Sequence, residues 1–280
     1  MPPRVRIDTS WSDLVFHVLA HVDLNQAAPS LFAGRYVAWV GSQPARAGER
    51  TLEQDAAALA RVLAAPEAAI GVQLLAVLFA NAEQARAVAE RELAELTAAD
   101  VAAPAALREL EPVLLPAAEL LRCAALLEAP WHADLPEART DRSELAVQLA
   151  RVATCAPRLA GADVVSCRAL TRHGRVFGER LYVGLPDPAL GVSVEQVALQ
   201  AGHEASVLEV SSEARARGLH LGERAVEAVA LVLFAQRCAR AGLAQEHAAW
   251  GREWGVRSEH GLLAALPEPG RTLATELLRG

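Results

Sequence analysis

The sequence contains no lysine, and all 27 of its basic residues are arginine. Aromatic residues make up only 4% of the 280 positions, whereas hydrophobic residues make up 52%, with alanine and leucine supplying most of them. A β-sandwich would need more aromatic and β-branched positions, so this composition favours closely packed helices. The net charge is −7 and no basic, aromatic-interleaved patch occurs, so we expect no nucleic-acid partner.

A long apolar run and a cysteine framework are also missing. The most apolar stretch, residues 68–80, is too short to cross a bilayer, and the N-terminus has no signal-peptide core. The four cysteines form no C-x-x-C pair and are expected to be buried free thiols: Cys123, Cys155, Cys167 and Cys238. We therefore expect a cytoplasmic protein with no membrane partner.

Helix signals dominate most of the chain. Ser10 or Ser12 can cap a helix over residues 13–23, and capping boxes at Thr51–Gln54 and Ser193–Gln196 open two more. Further helices are predicted over residues 66–96, 102–127 and 140–153, and over 219–280 with breaks near Gly242, Gly251, Gly255 and Pro267. This pattern predicts a multi-helical, mainly α protein.

The character changes between residues 157 and 191. Residues 164–170 and 175–183 have the composition of two strands, with a glycine-containing turn at 171–174 between them. We therefore predict one small β-hairpin at about 162–184, plus a short strand at residues 5–7. A loop at 129–140 is the only candidate internal boundary, and the chain is predicted to form a single domain over residues 1–280.

Acidic and imidazole groups fall on three of the predicted helices. Asp13, His17 and His21 are four apart and form one stripe, a spacing at which two imidazoles can bind a single ion. His203 and Glu204 lie on a helix that is apolar on two sides, which is typical of a buried, central helix. The third helix is predicted to carry His220, Glu223 and Glu227, of which Glu227 has core-like neighbours. Each group could equally form an ordinary structural hydrogen bond.

The order of these elements resembles the gluzincin type of zinc metallopeptidase over about residues 164–230. In that family an H-E-x-x-H helix follows a hairpin, and a downstream helix supplies a glutamate. The resemblance implies that His203 is a zinc ligand, Glu204 the general base, and Glu227 or Glu223 a further ligand. The chain departs from the motif at Val207, which stands at the position of the second histidine and cannot bind zinc.

One arrangement would restore the missing imidazoles. His17 and His21 could join His203 as ligands, with Glu204 as the base, giving the three protein ligands that catalytic zinc needs. The strand at 175–183 could pair with an extended peptide by strand addition. We therefore predict a zinc-dependent hydrolase of peptide or amide bonds with ligands among His17, His21, His203 and Glu227.

A non-catalytic helical protein without a metal, such as a scaffold or a degenerate descendant of an enzyme, would show the same packing faces and would explain Val207. The remaining histidines, including His247, are expected to be exposed or locally bonded. Trp250 and Trp254 are expected to form a packing stripe.

Overall fold

A computed structural model describes residues 4–7, 14–18, 83, 87, 91, 142–167, 170, 174–177, 180–186, 191–253, 266 and 268–279. Helix accounts for 70% of these residues, which confirms the predicted mainly α class. The predicted helices over residues 51–65 and 102–127 lie outside the described residues, as does most of 66–96, where residues 83, 87 and 91 are helical.

Contacts divide the chain into two compact units. The C-terminal unit comprises residues 1–6, 140–166 and 174–280, and the N-terminal unit comprises residues 7–139 and 167–173. The division between residues 139 and 140 falls at the end of the loop that the sequence indicates as a boundary. Compactness alone does not establish that a unit folds independently, so the single domain stays a prediction.

The described strands form one four-stranded sheet. They are β1 (Arg4–Ile7), β2 (Asp163–Cys167), β3 (Arg175–Phe177) and β4 (Arg180–Gly184), in the order β1-β2-β4-β3. β3 and β4 are antiparallel, and Phe177 pairs with Arg180, so only two residues connect them. The hairpin therefore lies within the predicted 162–184 region, but it joins β3 to β4, which were predicted as one strand at 175–183. Residues 171–173 of the predicted turn lie outside the described residues.

A long helix runs through the C-terminal unit and contacts most of its other elements. This helix, α2 (Val194–Ala216), follows α1 (Arg142–Val152) in the chain and contacts α1, β3 and β4. Its predicted capping box is confirmed: the Gln196 amide N–H donates to Ser193 Oγ over 3.2 Å, and the Ser193 N–H donates to Gln196 Oε1 over 2.8 Å. Thirteen residues of α2 are buried, which confirms its central position.

Three further helices complete the C-terminal unit: α3 (Glu223–Arg240), α4 (Ala244–Glu253) and α5 (Glu268–Arg279). Helix α2 ends in a Schellman motif, in which Gly218 has φ of +66° and the Leu219 N–H donates to Ala214 O. Helix α3 ends in the same way at Gly242, as the sequence predicts. The break predicted near Gly251 is wrong, because α4 continues through it.

An apolar cluster joins α2, α3 and α5. Its buried members are Val210, Ala214, Val229, Ala230, Leu233, Leu266, Leu273 and Ala274. Val207 and Val226 are partly buried against it. No helix among the described residues is both long and apolar enough to cross a membrane.

Candidate functional site

A histidine on α2 and a glutamate on α3 meet across the interface of the two helices. His203 Nε2 lies 2.7 Å from Glu227 Oε1, which is a hydrogen-bond distance between an imidazole and a carboxylate. The His203 side chain is fully buried, whereas the Glu227 side chain is 42% exposed. The contact therefore links a buried imidazole to a carboxylate that reaches the protein surface.

A glycine next to His203 on α2 allows α1 and α3 to approach this helix closely. A Cβ placed on Gly202 would lie 2.5 Å from Val152 Cγ1 of α1 and 2.6 Å from Phe234 Cζ of α3. Since real Cβ atoms do not come this close to their neighbours, only glycine fits between these side chains. Gly202 therefore sets the helix spacing at which His203 reaches Glu227.

The second acid of α2 is held by a separate set of neighbours. Glu204 is buried, with 7% exposure, and its Oε1 accepts a hydrogen bond of 2.5 Å from Gln200 Nε2, one turn earlier. A Cβ placed on Gly174, the residue before β3, would lie 2.3 Å from Glu204 Cγ. The Glu204 side chain therefore packs directly on the backbone at the start of β3. Buried carboxylates need such defined partners.

Opposing influences act on the His203 imidazole. Burial is the largest and favours the neutral ring, but the hydrogen bond and charge of Glu227, with the charge of Glu204, outweigh it and raise the pKa of His203. Desolvation and neighbouring charge are the two common causes of such shifts, and here the nearby carboxylates prevail. The site therefore favours a protonated imidazole.

A cluster of aromatic rings lies beside His203. The Trp250 ring centroid lies 5.5 Å from that of His203, and the His247 centroid lies 5.4 Å from Trp250. Phe234 contacts both of these α4 rings edge-on. Burial and the charge of nearby His203 lower the pKa of His247 to about 4. The cluster therefore holds two imidazoles with opposite preferences, one for the charged form and one for the neutral form.

His247 is the residue that the sequence analysis missed. It was expected to be exposed or locally bonded, but its ring lies in the aromatic cluster, and among the described residues its buried Nε2 has no hydrogen-bond partner. Trp250 is 2% exposed, as expected of a packing residue, whereas Trp254 lies outside the described residues. The three-residue spacing of His247 and Trp250, which puts both rings on one face of a helix, was the available signal.

The remaining predicted site residues are not part of the contacts around His203 and Glu204 given above. Residues 14–18 are helical and buried, including His17 at 8% exposure, but Asp13 and His21 lie outside the described residues. His220 is exposed and precedes α3, which is one of the two positions expected for it, exposed or in the helix cap, so it does not share a helical face with Glu227. The Schellman motif at Gly218 ends α2, and Gly222 caps α3, which leaves 219–221 between the helices.

The donor set can be compared with what zinc requires. Two tetrahedral zinc ligands, each ~2.0–2.1 Å from the ion, lie roughly 3.3 Å apart, so His203 Nε2 and Glu227 Oε1 would separate by about 0.6 Å to share one. They supply two of the three donors that a catalytic site needs. Among the described residues no group of three histidine, cysteine, aspartate or glutamate side chains could hold a metal ion. The ligand set described is therefore incomplete, and the composite with His17 and His21 stays a prediction.

Comparison of the chain with protein-family models, with curated proteins and with solved structures finds no match. The resemblance to gluzincins therefore rests on the order of the elements and on His203, Glu204 and Glu227 alone.

Proposed function

We propose that this protein is a metal-dependent hydrolase acting on peptide or amide bonds, with zinc ligands that include His203 and Glu227. The observation that carries the proposal is the 2.7 Å approach of an imidazole and a carboxylate that are 24 residues apart. These are two of the three positions at which the gluzincin resemblance requires ligands, and Val207 stands at the third. A histidine on one helix and a glutamate on the next are thus already in contact.

The position of Glu204 supports a role as the general base. Its side chain packs on Gly174, immediately before β3. β3 is the last strand in the described sheet order, and a terminal strand can accept an extended peptide by strand addition. A peptide bound along β3 would pass close to the Glu204 carboxylate, because that carboxylate lies against the residue where the strand begins.

Zinc and the residues of the chain would contribute different parts of the chemistry. A bound zinc ion would polarise a carbonyl and lower the pKa of a water molecule. The chain's own contribution is to place the two donors: the packing around Gly202 fixes the helix that carries His203, and the proton that His203 Nε2 and Glu227 Oε1 share in the metal-free protein would be replaced by zinc. A third ligand is needed besides these two.

A non-catalytic helical protein is the second candidate, and one observation favours it. Val207, which occupies the position of the missing histidine, is partly buried against the apolar cluster of α2, α3 and α5. There it contributes to packing as an ordinary core residue. In this reading the His203–Glu227 hydrogen bond joins two helices and has no further role.

Metal content and turnover distinguish the two candidates. The full chain, purified without chelators, is analysed for bound metal and assayed against a library of peptides and amides. We expect stoichiometric zinc, loss of zinc in His203→Ala, and loss of turnover with retained zinc in Glu204→Gln, since that change removes the base alone. Glu213→Gln is the matched control, because it alters an exposed acid of the same helix. Absence of metal after reconstitution would support the non-catalytic protein.

A further inference from the structure

Two cysteines from distant parts of the sequence meet in the core of the C-terminal unit. Cys155 Sγ and Cys238 Sγ lie 3.3 Å apart, and Cys238 donates its S–H to Cys155. The residues are 1% and 0% exposed. Cys155 lies in the turn that follows α1, and Cys238 lies in the last turn of α3. A disulfide requires an S–S distance of ~2.05 Å, so a shift of about 1.2 Å would join them.

The surroundings distinguish the two thiols. The S–H donated by Cys238, together with the charges of Arg237 and Arg151, lowers the pKa of Cys155 despite its burial. Cys238 experiences the opposite: its hydrogen bond to Cys155, burial and the charge of Glu246 all raise its pKa. The Cys155 S–H itself donates to Val152 O over 3.1 Å. Because the thiolate is the reactive form of cysteine and Cys155 lies in a turn next to the exposed Thr154, we assign Cys155 as the first nucleophile, an order that the single variants test.

Cys155 lies just beneath the surface. Its neighbour Thr154 is exposed, and the backbone around both residues forms the turn between α1 and the short helical segment Pro157–Leu159. The nearby charged groups Arg151 and Glu246 form an exposed ion pair, with an N–O distance of 2.6 Å. Backbone hydrogen bonds, such as that from the Cys155 N–H to Val152 O over 3.0 Å, hold the turn itself, so access to Cys155 requires these bonds to open locally.

We propose that Cys155 and Cys238 are a redox modification site that forms a reversible intramolecular disulfide by exchange with a small-molecule disulfide such as oxidised glutathione. The Cys155 thiolate attacks one sulfur of oxidised glutathione, forming a mixed disulfide and releasing one glutathione thiolate. Cys238 then loses its proton and attacks Cys155 Sγ, which releases the second glutathione. Two protein thiols are oxidised and one glutathione disulfide is reduced to two thiols.

Formation of the disulfide would also change the packing of the aromatic cluster around His247. Phe234 is one helical turn before Cys238 on α3 and contacts His247 and Trp250. Drawing Cys238 towards Cys155 displaces this face of α3, so the His247 ring changes its environment on oxidation. This consequence is independent of any metal at His203.

The test is peptide mapping of the full chain after incubation with oxidised glutathione. Free thiols are alkylated, the chain is digested without reduction, and cross-linked peptides are identified by mass. We expect one disulfide joining Cys155 to Cys238, a mass loss of about 2 Da from two hydrogens, and full reversal by dithiothreitol. The same mapping of a Cys123→Ser/Cys167→Ser variant excludes exchange with the other two cysteines.

Single variants test the assigned order of attack. Cys238→Ser should stop at a stable glutathione adduct on Cys155, whereas Cys155→Ser should leave Cys238 at least about tenfold slower to form an adduct, because the charges of Arg151 and Arg237 still favour the Cys155 thiolate and that of Glu246 still disfavours the Cys238 thiolate. Far-ultraviolet circular dichroism verifies that each variant is folded, and alanine replaces serine if it is not. The proposal is overturned if both thiols stay reduced in the folded chain while urea-unfolded chain is oxidised, or if the two single variants react equally fast.

Discussion

In the metal-free protein, replacing Glu227 by glutamine removes the charge that holds His203 protonated. The pKa of His203 is raised in the folded protein, whereas in the unfolded chain it is ~6.5. Because a raised pKa means that the folded state binds the proton more tightly, the stabilisation is complete below pH ~6.5. It is lost as the pH rises through the folded pKa. The cost of Glu227→Gln must follow the same pH dependence.

The expected magnitude follows from the geometry of the pair. A hydrogen bond to a charged group contributes about 1.5–3 kcal/mol, and the 42% exposure of the Glu227 side chain places this one at the lower end because water screens it. We expect Glu227→Gln to lower the free energy of unfolding by about 1–2 kcal/mol at pH 5.5 and by clearly less above the folded pKa of His203. The pKa of His203 itself should fall, since burial is the largest influence on it.

Two measurements check this prediction. Urea unfolding followed by circular dichroism at pH 5.5, 7 and 9 gives the free energies, and the imidazole resonances of His203 give its pKa. Glu213→Gln is the control, because Glu213 pairs with Arg217 at an exposed position of α2 and should show a small cost without this pH dependence. An equal cost of Glu227→Gln at all three pH values, or an unchanged His203 pKa, would refute the reasoning.

Three further predictions concern the neighbours of the pair. Gly174→Ala should displace the Glu204 side chain and lower the free energy of unfolding by about 1–3 kcal/mol, as measured by urea titration, because the new Cβ would overlap Glu204 Cγ. The pKa of His247 is lowered to about 4, so its contribution to stability falls as the pH decreases from ~6.5 towards 4; His247→Phe should flatten this acid limb in unfolding curves recorded against pH. Val207→His should supply the histidine missing from the motif and tighten zinc binding at His203 relative to the unchanged chain, since one more ligand joins the site. The zinc-dependent gain in unfolding free energy should reach about 2.7 kcal/mol at a hundredfold excess over its Kd, and at lower zinc concentrations than in the unchanged chain.

Each of these predictions has a matched control in the chain. Gly222→Ala places its Cβ in open space and should not reproduce the Gly174→Ala effect on Glu204. His220→Phe changes an exposed histidine and should leave the acid limb intact. Val226→His alters another valine packed against the apolar cluster and should leave the zinc affinity of the unchanged chain unaltered. Identical behaviour of a variant and its control would contradict the corresponding prediction.

Local signals carried most of the correct fold predictions. The capping box at Ser193 and the helix end at Gly242 are set by hydrogen bonds within a few residues, so their residue types identify them directly. The turn between β3 and β4 was missed because strand composition continues across residue 178, and composition does not report which strands pair. That pairing depends on side chains elsewhere in the sheet.

The same distinction between local and long-range signals applies to the candidate site. Apolar residues on both sides of α2 indicated that His203 is buried, and the structure confirms its burial. The meeting of Cys155 with Cys238, and of His247 with the aromatic cluster, depends on how α1, α3 and α4 pack around α2. Contacts between residues so far apart in sequence leave no local pattern. The spacing of His247 and Trp250 was visible on α4, but it does not say which side chains of other helices these rings meet.

Helix α2 contacts α1, α3, α4, β3, β4 and the 3-10 segment Pro157–Leu159, and this arrangement determines how its backbone amides exchange with solvent. A helix enclosed by so many elements cannot open alone, because every local opening would expose the apolar faces packed on it. The amides around His203 should therefore exchange only when the whole unit unfolds, so that their protection reports its global stability. In the same experiment, the amides of Thr154 and of the turn around Cys155 should exchange much faster, through small local openings. Hydrogen exchange thus distinguishes amides that exchange only by global unfolding from amides that exchange by local opening within one packed unit.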